Sequence, residues 1–278
     1  MEKAKRFPKL LVAALAALAL SLLALTGCSG GNSSSEDKTI TIAAVPTPHA
    51  EILNDVVKPA LEEEGYTLEV REFTDYVQPN TVTEEEEVDA NYFQHKPYLD
   101  NFNEENGTHL VEVTGVHFEP FGLYSTKYTS LDEIPDGAVV AVPNDATNEA
   151  RVLLLLQDQG LITLADGADI TATPKDIVDN PKNLQFRELE AAVVPTVIDD
   201  VAIAGINGNY ALEADLLDKV LVKESTDSLA AQTYANVLVV KDGNQDSEKI
   251  KALATALNSD EVRTYIDENY QGTVLAVF

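Results

Sequence analysis

Apolar and polar residues follow one another in blocks along most of the chain, and the blocks predict strands alternating with helices. Thr39–Val45 is apolar and β-branched, which predicts a buried strand broken by Pro46, Thr47 and Pro48. In His49–Glu64 the residues Ile52, Leu53, Val56, Val57, Ala60 and Leu61 fall three and four apart, the spacing of an amphipathic helix, with Gly65 as its stop. Thr67–Phe73 predicts a second strand, so the three elements form a βαβ unit with parallel pairing and helices packed on the sheet. Thr74–Asn80 reads as a loop, and Thr83–Val88, with four consecutive Glu, as the solvated face of a helix. Val88–Leu99 predicts a short strand running into a helix that begins near Pro97 and ends before Gly107.

Leu110–Ser125 reads as two extended segments, interrupted by Gly115, Pro120 and Gly122, that form the hinge into a second lobe. Ala138–Val142 predicts a strand, Pro143, Asn144 and Asp145 a turn, and Thr147–Gln159 a helix stopped by Gly160. Thr173–Val178 and Pro195–Asp199 read as short helices, Leu184–Glu188 as a strand. Val201–Ile206 is a buried strand ending in Asn207, Gly208, Asn209 and Tyr210, residue types suited to a tight turn with positive φ. Ala211–Leu217 continues as helix, Ala235–Val240 as strand, and Ser247–Asn258 and Asp260–Tyr270 as two closing helices.

One block fits none of this. Leu10–Leu25 is an unbroken run of Leu, Ala, Val and one Ser behind the basic residues Lys3, Lys5, Arg6 and Lys9. It is shorter than the roughly 20 residues of a membrane span and matches the core of a secretory signal peptide. It ends in Leu25-Thr26-Gly27-Cys28, which resembles a bacterial lipobox, and Cys28 is the only cysteine of the 278 residues. Residues 1–27 are therefore expected to be a lipoprotein signal peptide. Residues 28–38 are expected to be the lipidated Cys28 followed by a Ser- and Gly-rich tether spanning about 17 Å. Without the leader, 15 basic residues face 46 acidic ones, a net charge of −31. Nucleic acid and anionic lipid surfaces both need a basic face, so the balance argues against both as partners. With no second cysteine, stability must come from burial.

Catalytic signatures are sparse. The chain carries no G-x-S-x-G elbow, no phosphate-binding G-x-x-x-x-G-K and no G-x-G-x-x-G. Its four His show no metal-ligand spacing with one another, and the Glu run offers no closed coordination set, so neither a metal nor a cofactor is expected. Arg151 stands out in what reads as the first turn of its helix, where backbone N–H groups already place positive charge. An anion lying between the two would explain it; so would pairing with Glu149, Asp145 or another carboxylate. Phe93, His95 and Tyr98 cluster at a strand–helix junction, where open α/β sheets bind ligands. Core packing, or for His95 a local capping contact, would account for each of them singly.

Taken together, Phe73–Asn80, Asp89–Asp100, Pro143–Arg151, Asn180–Leu189, Ile206–Leu212 and Tyr234–Val240 resemble the methionine-binding, NlpA-type lipoproteins of bacterial ABC importers. The strings Asp-Ala-Asn-Tyr-Phe-Gln-His-Lys-Pro-Tyr-Leu and Ile-Asn-Gly-Asn-Tyr-Ala are the most specific, and the resemblance covers Thr39–Phe278. It implies an α/β, two-lobed periplasmic-binding-protein fold of type II-like form. Each lobe would be a mixed sheet flanked by helices, with the ligand in the cleft between them. Lobe 1 would comprise 39–123 plus 237–278, and lobe 2 124–236. The resemblance places Arg151 at the ligand carboxylate and Asn148, Asn207 and Asn236 around the amino-acid backbone. It places Tyr76, Phe93, His95 and Tyr98 around the side chain. Two departures from the family pattern stand out. Glu86 or Glu87 occupies a position where Gly is usual, and Gly205 lies in a stretch where Ala-Ala-Val is expected.

The function so implied is non-enzymatic. A monomer, anchored through Cys28 on the extracytoplasmic face of the cell membrane, captures methionine and delivers it to an ABC permease driven by a separate ATPase. Another small amino acid, D-methionine or a methionine-containing peptide is the alternative ligand. A lipid-anchored hydrolase, needing a nucleophile beside His95, or a structural surface lipoprotein are the alternatives of other classes.

Overall fold

The computed structural model describes residues 38–226 and 232–278. The expected leader, Cys28 and residues 29–37 of the tether lie outside the described residues. β1 (Thr39–Ala44) leads through π-helical turns at Pro46–Ala50 and Leu53–Val57 into α1 (Lys58–Glu63), and β2 (Thr67–Glu72) pairs parallel to β1. α2 (Gln78–Glu84), β3 (Ala90–His95), α3 (Lys96–Asn106) and β4 (Leu110–Phe118) follow. The chain then builds β5 (Gly122–Tyr124), β6 (Val139–Pro143), α4 (Ala146–Asp158), β7 (Thr163–Leu164), β8 (Ile177–Asp179) and β9 (Gln185–Leu189). After them come β10 (Ile203–Ile206), α5 (Gly208–Glu213) and β11 (Val220–Lys223). It closes with β12 (Ala235–Lys241), α6 (Glu248–Leu257), α7 (Asp260–Tyr270) and β13 (Leu275–Ala276).

Two mixed sheets result. The first has the order β13-β4-β12-β3-β1-β2, and β12 runs antiparallel to both its neighbours. The second has the order β11-β5-β10-β6-β9, parallel at β10-β6-β9 and antiparallel on either side of β5. Each has its own core: Ile40, Ile42, Leu61, Tyr92, Leu238 and Leu253 in the first, Leu123, Val140, Val152, Leu156 and Ile203 in the second. Two sheets with separate cores are the two lobes of the expected fold. β5 belongs wholly to the second sheet and β12 wholly to the first, so the expected borders at 123/124 and 236/237 each cut through a strand.

Several local expectations need correction. The segment 74–80 is not all loop: α2 starts at Gln78, because the Asp75 carboxylate accepts the Val77 and Gln78 N–H groups. Thr83 is consequently buried rather than on a solvated face, and its hydroxyl oxygen accepts from Asn91 Nδ2 at 2.8 Å. Only one short turn, Pro174–Asp176, forms in 173–178 before the chain becomes β8. Asn207 has φ −61° and Gly208 opens α5, so the Asn-Gly-Asn stretch makes no positive-φ turn. α4 begins at Ala146, capped by the Asp145 side chain on Asn148 N–H, which moves Arg151 into the second turn, where the helix-end charge has largely faded.

Both departures from the family pattern have a local reading. Glu86 adopts φ 58°, the left-handed conformation in which Gly is easiest. At Gly205 on β10, an added Cβ would lie 2.4 Å from Val152 Cγ2 and 3.3 Å from Phe121 Cε1, so β10 and α4 pack too closely for a side chain there. Gly205→Ala should lower stability by about 1–3 kcal/mol, because Val152 is β-branched and cannot swing aside. Urea unfolding of G205A, V152A and the double variant should show the double variant more stable than the sum of the single losses.

Candidate functional site

One cleft is lined from both sheets. Tyr76 after β2, Phe93 and His95 on β3, Tyr98 on α3 and Asn236 on β12 come from the first; Asn148 and Arg151 on α4 and Asn207 at the head of α5 come from the second. All eight residues singled out from the sequence thus fall on one cleft. Gln94, Glu119, Gly208 and Asn209 line it as well.

His95 is both a cap and a wall. Its Nδ1 accepts the Tyr98 N–H at 3.1 Å, closing the first turn of α3. That bond fixes the tautomer, so Nε2–H donates to Asn148 Oδ1 at 3.1 Å. Burial, reinforced by the Arg151 charge, pushes its pKa down to about 3, so the ring is neutral. Asn148 Oδ1 also accepts Asn207 Nδ2 at 2.8 Å, while Asn148 Nδ2 donates to Asp145. This chain of amides reaches from one lobe to the other and leaves Asn207 Oδ1 buried with no hydrogen-bond partner among the described residues.

The aromatic side of the cleft is a cluster in which Tyr76 lies 5.8 Å from both Phe93 and Tyr98. Tyr76 also joins the lobes, donating to Asn209 Oδ1 at 2.5 Å and stacking on Tyr210 at 4.9 Å. Tyr210 sits outside the cleft and donates to the Thr74 carbonyl at 3.1 Å.

Arg151 has the carboxylate partner that the sequence left open, but it is neither Glu149 nor Asp145. Nε and Nη2 bond the two oxygens of Glu224, and Nη2 also bonds the Glu119 carbonyl at 3.1 Å. The guanidinium lies 4.3 Å from the Tyr234 ring centroid and 5.1 Å from that of Phe121, a cation–π sandwich. Nη1 donates to no described residue.

Behind the cleft lies a buried polar cluster. The Tyr92 hydroxyl bonds His117 Nδ1, His117 Nε2–H donates to Glu119 Oε1 at 2.7 Å, and His49 Nε2 bonds Asn236 Oδ1 at 3.0 Å. Burial pushes His117 down to about 3 and His49 to about 4, and pushes the Glu119 carboxyl up. His49, His117 and Glu119 bring three metal-competent atoms within 4.8 Å of one another, a proximity that spacing along the chain did not reveal; His49 Nε2, His117 Nε2 and Glu119 Oε1 are hydrogen-bonded, whereas His49 Nδ1 has no partner among the described residues. Sequence reasoning also missed Glu119, although a lone carboxylate inside the apolar run 116–121 was a signal. Gly208 and Asn209 lay inside the Ile-Asn-Gly-Asn-Tyr-Ala string but read as turn residues, and Glu224 carried no signal.

Residues 40–278 match the NlpA lipoprotein family. The chain belongs to that family. It is 42% identical to the methionine-binding lipoprotein MetQ of Bacillus subtilis over 97% of this chain and 98% of that one. Among solved structures, a lipoprotein of Ruminococcus gnavus matches with TM-score 0.84 and 56% identity, over 87% of this chain and all of that one. A nutrient binding protein of Burkholderia cenocepacia, solved bound to methionine, matches with TM-score 0.81 and 42% identity, over 86% of this chain and all of that one. The fold of this NlpA-family chain is therefore the two-lobed periplasmic-binding-protein fold. No helix among its described residues is long and apolar enough to cross a membrane.

One buried group on α4 of this lipoprotein, outside the lining of the cleft, sets a pH dependence. Glu149, in the first turn of α4, is buried with Oε1 unpartnered among the described residues. Burial first, then the neighbouring Glu188 and Asp145, push its pKa up from 4.5 to about 7. Between those two values the native state holds a proton that the unfolded chain has lost, so stability falls as pH rises through that window. Glu149→Gln should have a melting temperature close to that of the unsubstituted protein at pH 4.5 and a higher one at pH 8. Differential scanning calorimetry across that range checks the sign.

Proposed function

We propose that this lipoprotein captures methionine on the extracytoplasmic face of a membrane, anchored through Cys28, and hands it to an ABC permease without chemistry of its own. The observation that carries the reading is the composition of one cleft. Aromatic rings line part of it, and the Arg151 fork and the amides of Asn148, Asn207, Asn209 and Asn236 line it beside them. A thioether gains about 0.3–1.5 kcal/mol against aromatic rings and asks for no hydrogen bond. A carboxylate removed from water needs a cation, which Arg151 Nη1 supplies, and Asn oxygens suit an ammonium. The relatives support the same ligand, since one is named as methionine-binding and another was solved with methionine bound.

The hydrolase reading finds little support. None of the described residues lining the cleft is Ser, Thr or Cys, and His95 Nε2 is already committed as a donor to Asn148. The lobes exchange chain between β4 and β5 and between β11 and β12. Closure would then bring Arg151, Asn148 and Asn207 of one lobe against the aromatic cluster of the other.

Mass spectrometry of the small molecule released from purified, denatured protein beginning at Ser29 tests this. The single methionine of the chain is Met1, so released methionine cannot derive from that protein. Stoichiometric methionine is expected; a different amino acid would overturn the specificity. Arg151→Lys keeps the charge and loses the fork, and should weaken methionine binding by roughly 10- to 100-fold in calorimetric titration.

A further inference from the structure

We propose that Tyr210 latches the two lobes together: it clasps the loop 74–76 of the first lobe from outside the cleft and so sets how fast a captured ligand leaves. The inference rests on the proposed capture of an amino acid and adds a residue that governs release without touching the ligand.

The clasp is reciprocal. Tyr76, on the loop between β2 and α2, donates its hydroxyl to Asn209 Oδ1 at 2.5 Å. Tyr210, the next residue of α5, donates back to the Thr74 carbonyl at 3.1 Å. Between the two bonds the Tyr76 and Tyr210 rings stack, with centroids 4.9 Å apart and planes 28° from parallel. Consecutive residues of a helix point about 100° apart, so Asn209 lines the cleft and Tyr210 does not. The Tyr76 ring is a shared wall: it lines the cleft, and with Tyr98 and Tyr210 it lines a second hollow outside it.

Both ends of the clasp are rooted in their own lobe. On the first, the Tyr98 hydroxyl donates to the Tyr76 carbonyl at 3.1 Å, and Asp75 caps α2 by accepting the Val77 and Gln78 N–H groups. On the second, Tyr210 is 5% exposed and packs in a core with Tyr124, Ala141, Val194 and Ile206. Separating the lobes therefore breaks both bonds and unstacks the rings, because neither ring is free to swing after its partner. Burial pushes both phenols well above their usual range, reinforced at Tyr210 by Asp75, Glu213 and Glu190, so each hydroxyl keeps its proton and donates.

The position of Tyr210 separates holding from contact. Two other bridges between the lobes, His95 to Asn148 and Tyr76 to Asn209, run through residues that line the cleft. Removing either would also change what the ligand meets. Neither Tyr210 nor Thr74 lines the cleft, so their bond can be deleted with the lining intact. A contact made only while α5 lies against the loop belongs to the closed form alone. It slows opening, and a ligand arriving at the open form meets nothing of it.

Release and association rates of radiolabelled L-methionine on the purified lipoprotein test this. Loss of label into excess unlabelled methionine gives the first rate, and uptake at rising concentrations gives the second. Tyr210→Phe loses the bond to Thr74 and keeps the stack, so release should quicken about 2- to 10-fold. Tyr210→Leu loses both and should quicken release about 10- to 100-fold. Association should stay within about twofold in either variant. A tyrosine that merely supported the fold would lower the melting temperature and the fraction of protein able to bind, while the folded remainder released methionine at the unsubstituted rate. That result would overturn the inference, as would a loss of affinity carried by slower association. Should Tyr210→Leu fail to fold, the Tyr210→Phe rates decide alone. An unsubstituted protein that takes up no methionine would overturn the function reading together with this inference, whereas methionine binding with release indifferent to Tyr210 would overturn the inference alone.

Discussion

A guanidinium buried to 3% exposure has to be neutralised where it stands, and the ion pair of Arg151 with Glu224 ties together the parts of the molecule that meet there. Glu224 is itself held twice by the backbone of Phe121: its N–H donates to the Phe121 carbonyl and its Oε2 accepts the Phe121 N–H. Arg151 adds a bond to the Glu119 carbonyl. One cation therefore fastens α4 to both places where the chain passes between the sheets. Breaking such a pair by removing one member typically costs 3–5 kcal/mol, because a bare charge is left buried. A ligand carboxylate at the free edge of the same guanidinium would press on the junction between the lobes.

The second constraint is the amide chain from His95 through Asn148 to Asn207. His95 and Asn148 each use one atom for a helix cap and another for the contact between the lobes. Asn148 shows this best, since its N–H and Nδ2 serve the Asp145 cap while its Oδ1 accepts from both His95 and Asn207. Positioning of the cleft is thus inherited from helix capping, which is local, and only then extended across the lobes.

Much of this was legible in the chain. The β1–α1–β2 unit, α3, α4 and the closing helices follow from apolar spacing and from Gly and Pro punctuation, signals set by near neighbours. The eight assigned residues share a cleft because they lie in motifs of high specificity. What escaped depends on residues far apart. Arg151 meets Glu224 73 positions away, and His49 comes to Asn236 across 187. Gly208 reads as a turn residue until Glu119 is seen against it. The start of α2 was hidden because the Asp75 side chain, not an apolar period, decides it.

The double duty of His95 bears on how this scaffold can diversify. A change at His95, Asn148 or Arg151 alters the cleft and also removes a helix cap, an inter-lobe amide or the partner of a buried charge, so selection would rarely admit one alone. Tyr76 and Tyr98 are only somewhat freer, since their hydroxyls bond Asn209 and the Tyr76 carbonyl. Phe93 contributes a ring and no polar contact. Drift in ligand preference among descendants of this chain would begin there, with the polar side of the cleft held in place by the demands of folding.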